Sequence, residues 1–294
     1  MTSVREDAAL VALLRLGRRS GPEYAELVES STGARAALEQ ELTTEDGQGT
    51  LLPPDAESMV RDAARDIGRW REQGFGLVNI LADEYPQNLR AVHDRPPLIF
   101  VAGRVLPEDR SAIAVIGARR ASDEGLSVAA RIADHLVEAR FTVVSGLAAG
   151  VDTAAHRAAL AAGGRTLAVL GTGLAHAYPA ENAPLQRRIA AEGAVISQFW
   201  PEAAPTRVSF PLRNAVMSGL ALATVVVEAS ATSGARIQAR LALGHGRPVF
   251  LLEPVLEQDW ARELADRPGT YVVNRAEQIT AIVGRLTAAG ALVE

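Results

Sequence analysis

The segment VVSGLAAGVDTAAHRAAL (Val143–Leu160) decides the fold. Its first residues, with Thr142, make a short apolar β-branched run that stops at Ser145-Gly146. Small residues then lead to Asp152, and an alanine-rich stretch follows with helical character, Thr153–Ala162. A buried strand, a glycine turn and a helix in that order form one unit of a parallel α/β sheet. The pattern recurs outward in both directions. Strands are expected at Leu98–Ala102, Ile113–Gly117, Leu167–Leu170, Val195–Ser197, Thr224–Glu228 and Pro248–Leu252. Helices are expected between them at Leu126–Ala139, Ala183–Ala191 and Ala235–Leu243. Near-continuous apolar strands separated by helices predict a doubly wound α/β fold with both sheet faces covered. A tail with a helix at Leu256–Ala265, a strand at Thr270–Val273 and a helix at Ala276–Ala288 could complete the same sheet.

Before Phe75 the texture is different. Helical patterns cover Val4–Arg18, Pro22–Ser30, Gly33–Leu42 and Asp55–Gln73, and Thr43–Pro54 reads as a loop from its glycines and paired prolines. Two domains are therefore expected, a small helical one over residues 1–74 and the α/β domain over 75–294.

Composition excludes much chemistry. The 294 residues contain no cysteine, which removes disulfides, thiolate metal sites and thiol nucleophiles. They also contain no lysine, so all 30 basic residues are arginine and no Walker-type or Schiff-base lysine exists. The formal net charge of −5 is not that of a broadly basic nucleic-acid binder, which leaves a local positive site as the alternative. The histidines show no metal-ligand spacing, so neither metal nor cofactor is expected. No apolar run approaches the ~20 residues of a membrane span. The N-terminus lacks the order of a signal peptide, so a soluble cytoplasmic protein without membrane contact is expected.

In an open parallel sheet, ligands bind beyond the carboxyl ends of the strands. Here those ends carry Gly117-Ala118-Arg119-Arg120-Ala121-Ser122, Ser145-Gly146, Gly171-Thr172-Gly173, and Glu228 leading to Thr232-Ser233-Gly234. Turns of this kind at helix starts predict a rim of exposed N–H groups suited to phosphate. Arg119 is expected to grip phosphate and Phe210, read as a loop residue, to face a ligand. Asp152 and His156 share a helical face, but a dipole-favoured Asp and a histidine bonded to nearby backbone explain them better than an acid–base pair. Glu228 is expected to pair with Arg213. Of the apolar pair Phe199-Trp200, at least one ring should be exposed or used in a dimer or DNA contact.

AVIGARRAS (Ala114–Ser122), the Val143–Leu160 segment, GRTLAVLGTGLAHAYPAENAPL (Gly164–Leu185), FPLRNAVMSGL (Phe210–Leu220) and VVVEASATSGARIQA (Val225–Ala239) resemble the DNA-processing protein A (DprA/Smf) family. EYPQNLRAVHDRPPLIFVAG (Glu84–Gly103) looks like that family's lead-in. The resemblance implies an extended Rossmann-like fold preceded by a small helical, SAM-like domain. It also implies a non-enzymatic protein that binds single-stranded DNA, hands it to the RecA recombinase during natural transformation, and acts as a homodimer. Carried onto this sequence, Arg119 would contact a phosphate, Phe210, Arg213 and Asn214 would form the opposite wall, and Ser233 and Gly234 would offer backbone donors. Gly117, Ser145, Gly146, Gly171 and Arg236 complete the expected phosphate- and DNA-binding set.

The sequence departs from the family on that rim. Ala215 stands where arginine is usual, and Ser233-Gly234-Ala235-Arg236-Ile237-Gln238-Ala239 loses two hydroxyls while gaining Arg236. Ser197-Gln198 replaces Ser-Glu, Glu253-Pro254 replaces Pro-Gly, and the family's frequent C-terminal winged helix is not expected. A specialised paralogue in defence or sensing fits these changes too. The second reading of the rim is a nucleotide sensor or a nucleoside-phosphate N-glycosidic hydrolase using Glu228. Such hydrolases rely on a Pro-Gly-Gly-x-Gly-Thr loop that this sequence does not contain.

Overall fold

β-branched and aliphatic runs of four to six residues are too short for buried helices and suit a sheet covered on both faces. The computed structural model, which describes residues 4–43 and 55–292, joins them in one nine-stranded sheet. The strands are β1 (Phe75–Asn79), β2 (Leu98–Gly103), β3 (Ala112–Ile116), β4 (Thr142–Ser145), β5 (Thr166–Val169), β6 (Ala194–Ser197), β7 (Ala223–Val226), β8 (Val249–Leu252) and β9 (Thr270–Val273). Their order across the sheet is β1-β2-β6-β5-β4-β3-β7-β8-β9. From β6 to β9 every neighbouring pair is parallel. The tail strand β9 completes that edge.

Two features at the other edge differ from the sequence reading. The strand β1 was not anticipated, and β2 runs antiparallel to both β1 and β6. No long crossover helix links β1 to β2. The connection holds only the short helix α5 (Gln87–Arg90) and the paired Pro96-Pro97, so the chain doubles back. Glycine alternating with partly buried residues along β1 disguised it as linker.

Helices α1 (Val4–Arg15), α2 (Gly21–Ser30), α3 (Ala34–Thr43) and α4 (Ala56–Glu72) precede the sheet. The expected loop at Thr43–Pro54 lies outside the described residues, except for Thr43, which ends α3. Asp55 caps α4 by accepting from the Glu57 amide, and the helix turns Ala63, Ile67 and Trp70 inward. Trp70 meets Phe100 of β2 edge-on at 5.1 Å and stacks on Trp200 at 5.9 Å. Its indole N–H donates to Glu202 Oε1 at 2.9 Å, and the Arg15 guanidinium covers both tryptophans. Trp200 thus packs within the chain, and it and Phe199 both stay partly exposed. An apolar ring beside β6 is better buried by the adjacent helix than left in water.

The remaining long helices are α6 (Asp123–Glu138), α7 (Val151–Ala161), α8 (Ala183–Glu192), α9 (Ser209–Leu220), α10 (Gly234–Gly244), α11 (Asp259–Ala265) and α12 (Ala276–Ala288). Among the described residues, no helix is long and apolar enough to cross a membrane. The chain winds from β3 through β4 and β5 to β6, then returns across to β7 on the other side of β3. That reversal opens a crevice at the carboxyl end of β3. Replacing Trp70 by alanine empties the junction of three rings. We expect Trp70→Ala to cost about 3–5 kcal/mol, read as a lower urea midpoint; a change under about 1 kcal/mol would show the junction to be unimportant.

Candidate nucleic-acid interface

The crevice is a cleft of about 880 Å³. The turn after β3 supplies Gly117, Arg119 and Arg120, the turn after β4 supplies Ala148 and Asp152, and the segment after β7 supplies Glu228, Ser233 and Gly234. A second cleft of about 420 Å³ adjoins it, lined by Gly146, Gly171 and Tyr178 among others. Arg119, Ala148, Phe210 and Arg213 line both, so these residues form the wall between them.

That wall is built on Arg213. Its guanidinium is buried, with 6% of the residue exposed. Nη1 donates to the carbonyls of Gly146 at 2.6 Å and Val169 at 2.9 Å, and Nε donates to Asn214 Oδ1 at 2.9 Å. The carbonyls belong to the ends of β4 and β5, where the ladder stops and strand C=O groups need partners. A Cβ on residue 146 would lie 1.8 Å from Nη1, so glycine is required there. Burial pushes the Arg213 pKa down, and the Asp152 carboxylate beside it pushes back up. Asp152 Oδ2 accepts from the amides of Gly146 at 3.1 Å and Ala148 at 3.3 Å. Burial raises the Asp152 pKa against the pull of Arg213 and those amides.

The expected Glu228–Arg213 pair does not form. Glu228 instead accepts from the Ser122 amide at 3.1 Å and from Ser122 Oγ at 2.7 Å, while that Oγ accepts from the Gly125 amide. A carboxylate at the first turn of α6 is favoured by the helix dipole, and Arg213 already has Asp152.

Phe210 lies on the first turn of α9, not on a loop. Prolines read as loop markers are tolerated in a first helical turn, which explains the misreading of Phe210-Pro211. Its ring sits over Gly171, where a Cβ would approach to 2.7 Å. The Arg119 guanidinium lies 5.2 Å from the Phe210 centroid, and Tyr178 contacts the ring from another side at 5.6 Å. Tyr178 was not among the expected site residues, although an aromatic after Gly171-Thr172-Gly173 was a usable signal.

Other expected residues separate. Ser145 is fully buried and donates from Oγ to Val115 O, tying β4 to β3. Arg236 is half-buried and lines neither cleft, and Ala215 is buried and lines neither. The rim of bare amides is corrected in part, since the Gly117, Arg119, Gly171 and Gly234 amides make no hydrogen bond among the described residues. Besides the Gly146, Ala148 and Ser122 amides already paired, Val151 N–H donates to Ala118 O, Gly173 N–H to Ala203 O, Ser233 N–H to Ser230 O and Ala235 N–H to Ser233 Oγ. Of the two expected donors Ser233 and Gly234, Ser233 is thus already engaged. Short polar side chains and neighbouring carbonyls outcompete an external anion for these N–H groups.

Asp152 and His156 serve different neighbours and make no acid–base pair. His156 is fully buried, its Nδ1 2.7 Å from Thr166 Oγ1, and the Ser145 backbone is a second polar neighbour. Thr166 Oγ1 gives its proton to Val143 O, so it accepts from the ring. Burial pushes the His156 pKa down to about 3.

The model of the family described as DNA recombination-mediator protein A matches residues 76–283. The chain belongs to this family. It is 39% identical over 180 residues to DNA processing protein DprA of Streptococcus pneumoniae, covering 61% of this chain and 64% of that protein. To DprA of Bacillus subtilis it is 32% identical over 224 residues, 76% of this chain and 75% of the relative. To protein Smf of Synechocystis it is 40% identical over 173 residues, 58% of this chain but only 44% of that protein. Two of these relatives are thus matched over less than two thirds of their length. Among solved structures, S. pneumoniae DprA superposes with a TM-score of 0.68 at 28% identity over 95% of both chains. Helicobacter pylori DprA shares the fold at a TM-score of 0.64 and 24% identity, covering 72% of this chain and 96% of that one.

The buried histidine makes a testable acid limb. A neutral folded His156 and an unfolded histidine titrating at its ordinary 6.5 mean that the unfolded state binds the extra proton. The contribution is complete above pH 6.5 and falls by about 1.4 kcal/mol per pH unit from there toward pH 3. Urea unfolding at pH 7, 5.5 and 4.5 should show a shallower loss for His156→Gln than for wild type. A pH-independent difference between the two would refute it.

Proposed function

We propose that this chain binds single-stranded DNA along the carboxyl edge of the sheet and acts as a recombination mediator. The observation that carries the reading is the contact of Arg119 with Phe210 on the shared wall of two adjoining clefts, with Tyr178 tilted against the same ring and Arg213 buried in that wall. An aromatic face accepts any base, and a guanidinium fork accepts phosphate oxygens. Together they suit an unpaired strand whose bases are exposed. Family membership supports the same reading, and the H. pylori relative's structure concerns its single-stranded DNA binding mode. Delivery of the strand to a RecA-type recombinase, action as a homodimer, a role in binding and not catalysis, and a cytoplasmic place all belong to this proposal. So does the division into a helical domain, 1–74, and a sheet domain, 75–294. The nucleotide hydrolase reading needs a free acid on the rim, and the commitment of Glu228 to Ser122 weighs against it.

Fluorescence anisotropy with an unstructured oligonucleotide tests the proposal. Arg119→Ala should weaken binding for all sequences and reduce the slope of log K against log salt by about 0.7, one single-strand phosphate contact. Phe210→Ala should cost about 1–3 kcal/mol of binding. Folded wild-type protein that binds no oligonucleotide at about 50 mM salt would end this reading.

A further inference from the structure

The opposite edge of the sheet gathers three metal-ligand side chains that sequence spacing kept apart. His93 and Asp94 follow α5, and His245 follows the last turn of α10, just before β8. One donor atom from each lies within 4.8 Å of the other two. His245 Nε2 is 2.7 Å from Asp94 Oδ1, and the His93 and His245 rings meet edge to face at 5.3 Å.

The His245 ring is oriented from behind. Its Nδ1 lies 2.9 Å from Ser218 Oγ, whose own proton goes to Ala215 O at 3.1 Å. Ser218 thus orients the ring, and when it accepts from Nδ1–H, Nε2 turns a lone pair toward Asp94. Both Nε2 and Asp94 Oδ1 are buried, and neither completes a hydrogen bond. A positive centre between the two, a proton on Nε2 or a metal ion, holds atoms this close together. His93 is exposed and has no hydrogen-bond partner among the described residues, so its ring can turn into the same point.

We propose that His93, Asp94 and His245 form a zinc-binding site, remote from the DNA cleft, with three protein ligands and an open fourth position. Two imidazoles and one carboxylate suit zinc and disfavour magnesium or calcium, which take oxygen donors. Tetrahedral zinc with bonds of about 2.0–2.1 Å sets its donors about 3.3 Å apart, so the Asp94–His245 pair, at 2.7 Å, must open by about 0.6 Å. The ion would pin the segment after α5 to the α10–β8 junction.

The test uses the full chain without an affinity tag, stripped with chelator, then titrated with Zn²⁺ alone by calorimetry and chelator competition. One ion per chain should bind, raising the melting temperature, while Mg²⁺ does neither. His93→Ala, at an exposed position, should leave the metal-free melting temperature unchanged and weaken zinc at least about tenfold, as should Asp94→Asn. No stoichiometric uptake, or uptake indifferent to both substitutions, would overturn the proposal and leave a plain His245–Asp94 ion pair.

Discussion

The candidate site depends on one buried charge. Taking a guanidinium out of water costs several kcal/mol unless its hydrogen bonds and its charge are both answered. Arg213 has both, through the strand-end carbonyls of Gly146 and Val169, the Asn214 amide oxygen and the Asp152 carboxylate. Asp152 in turn is held by the amides of the loop it crosses. The turn after β4, the end of β5 and the first turns of α9 are thereby locked to one another. Phe210, three residues before Arg213 on α9, is aimed by that lock, and Arg119 lies against its ring.

This arrangement differs in kind from a phosphate nest. Several loop amides that would have cradled an anion are spent on Asp152, Glu228, Ser233 Oγ and nearby carbonyls, which lowers the rim's attraction for phosphate. Attraction rests on guanidinium groups and an aromatic face. Asp152 and Glu228 also line the larger cleft beside Arg119, Arg120 and Arg213. A balance of that kind is poorly suited to gripping a small polyanion, and the chain's net charge of −5 provides no long-range pull. Stacking along a strand, with local phosphate contacts, needs neither.

Much of the fold was legible because parallel strands buried on both faces leave apolar runs that stand out between alanine-rich helices. Ile113–Ile116, Thr142–Ser145 and Val249–Leu252 are such runs, and each forms its strand. The edge was harder. Glycine at 76 and partial burial erase the pattern of β1, and antiparallel pairing of β2 depends on a connection whose path no local propensity records. At the site, the residue types at the strand ends were readable and their partners were not. Glu228 was the expected mate for Arg213, and only the packing of α6 and α7 against the sheet gives Ser122 to Glu228 and sets Asp152 beside Arg213.

The amino-acid order alone determined the alternation of strand, glycine turn and helix, and with it the rim that carries Arg119, while Phe210 and Arg213 were placed there by the family resemblance. It determined the absence of lysine and cysteine, and so which chemistries are closed. Tertiary structure decided which groups are spent and which remain. Satisfying a buried polar atom is a contest among neighbours distant in the chain, and proximity in space settles it. Folding likewise brings His245 to His93 and Asp94, and Trp200 to Trp70, residues far apart in the chain.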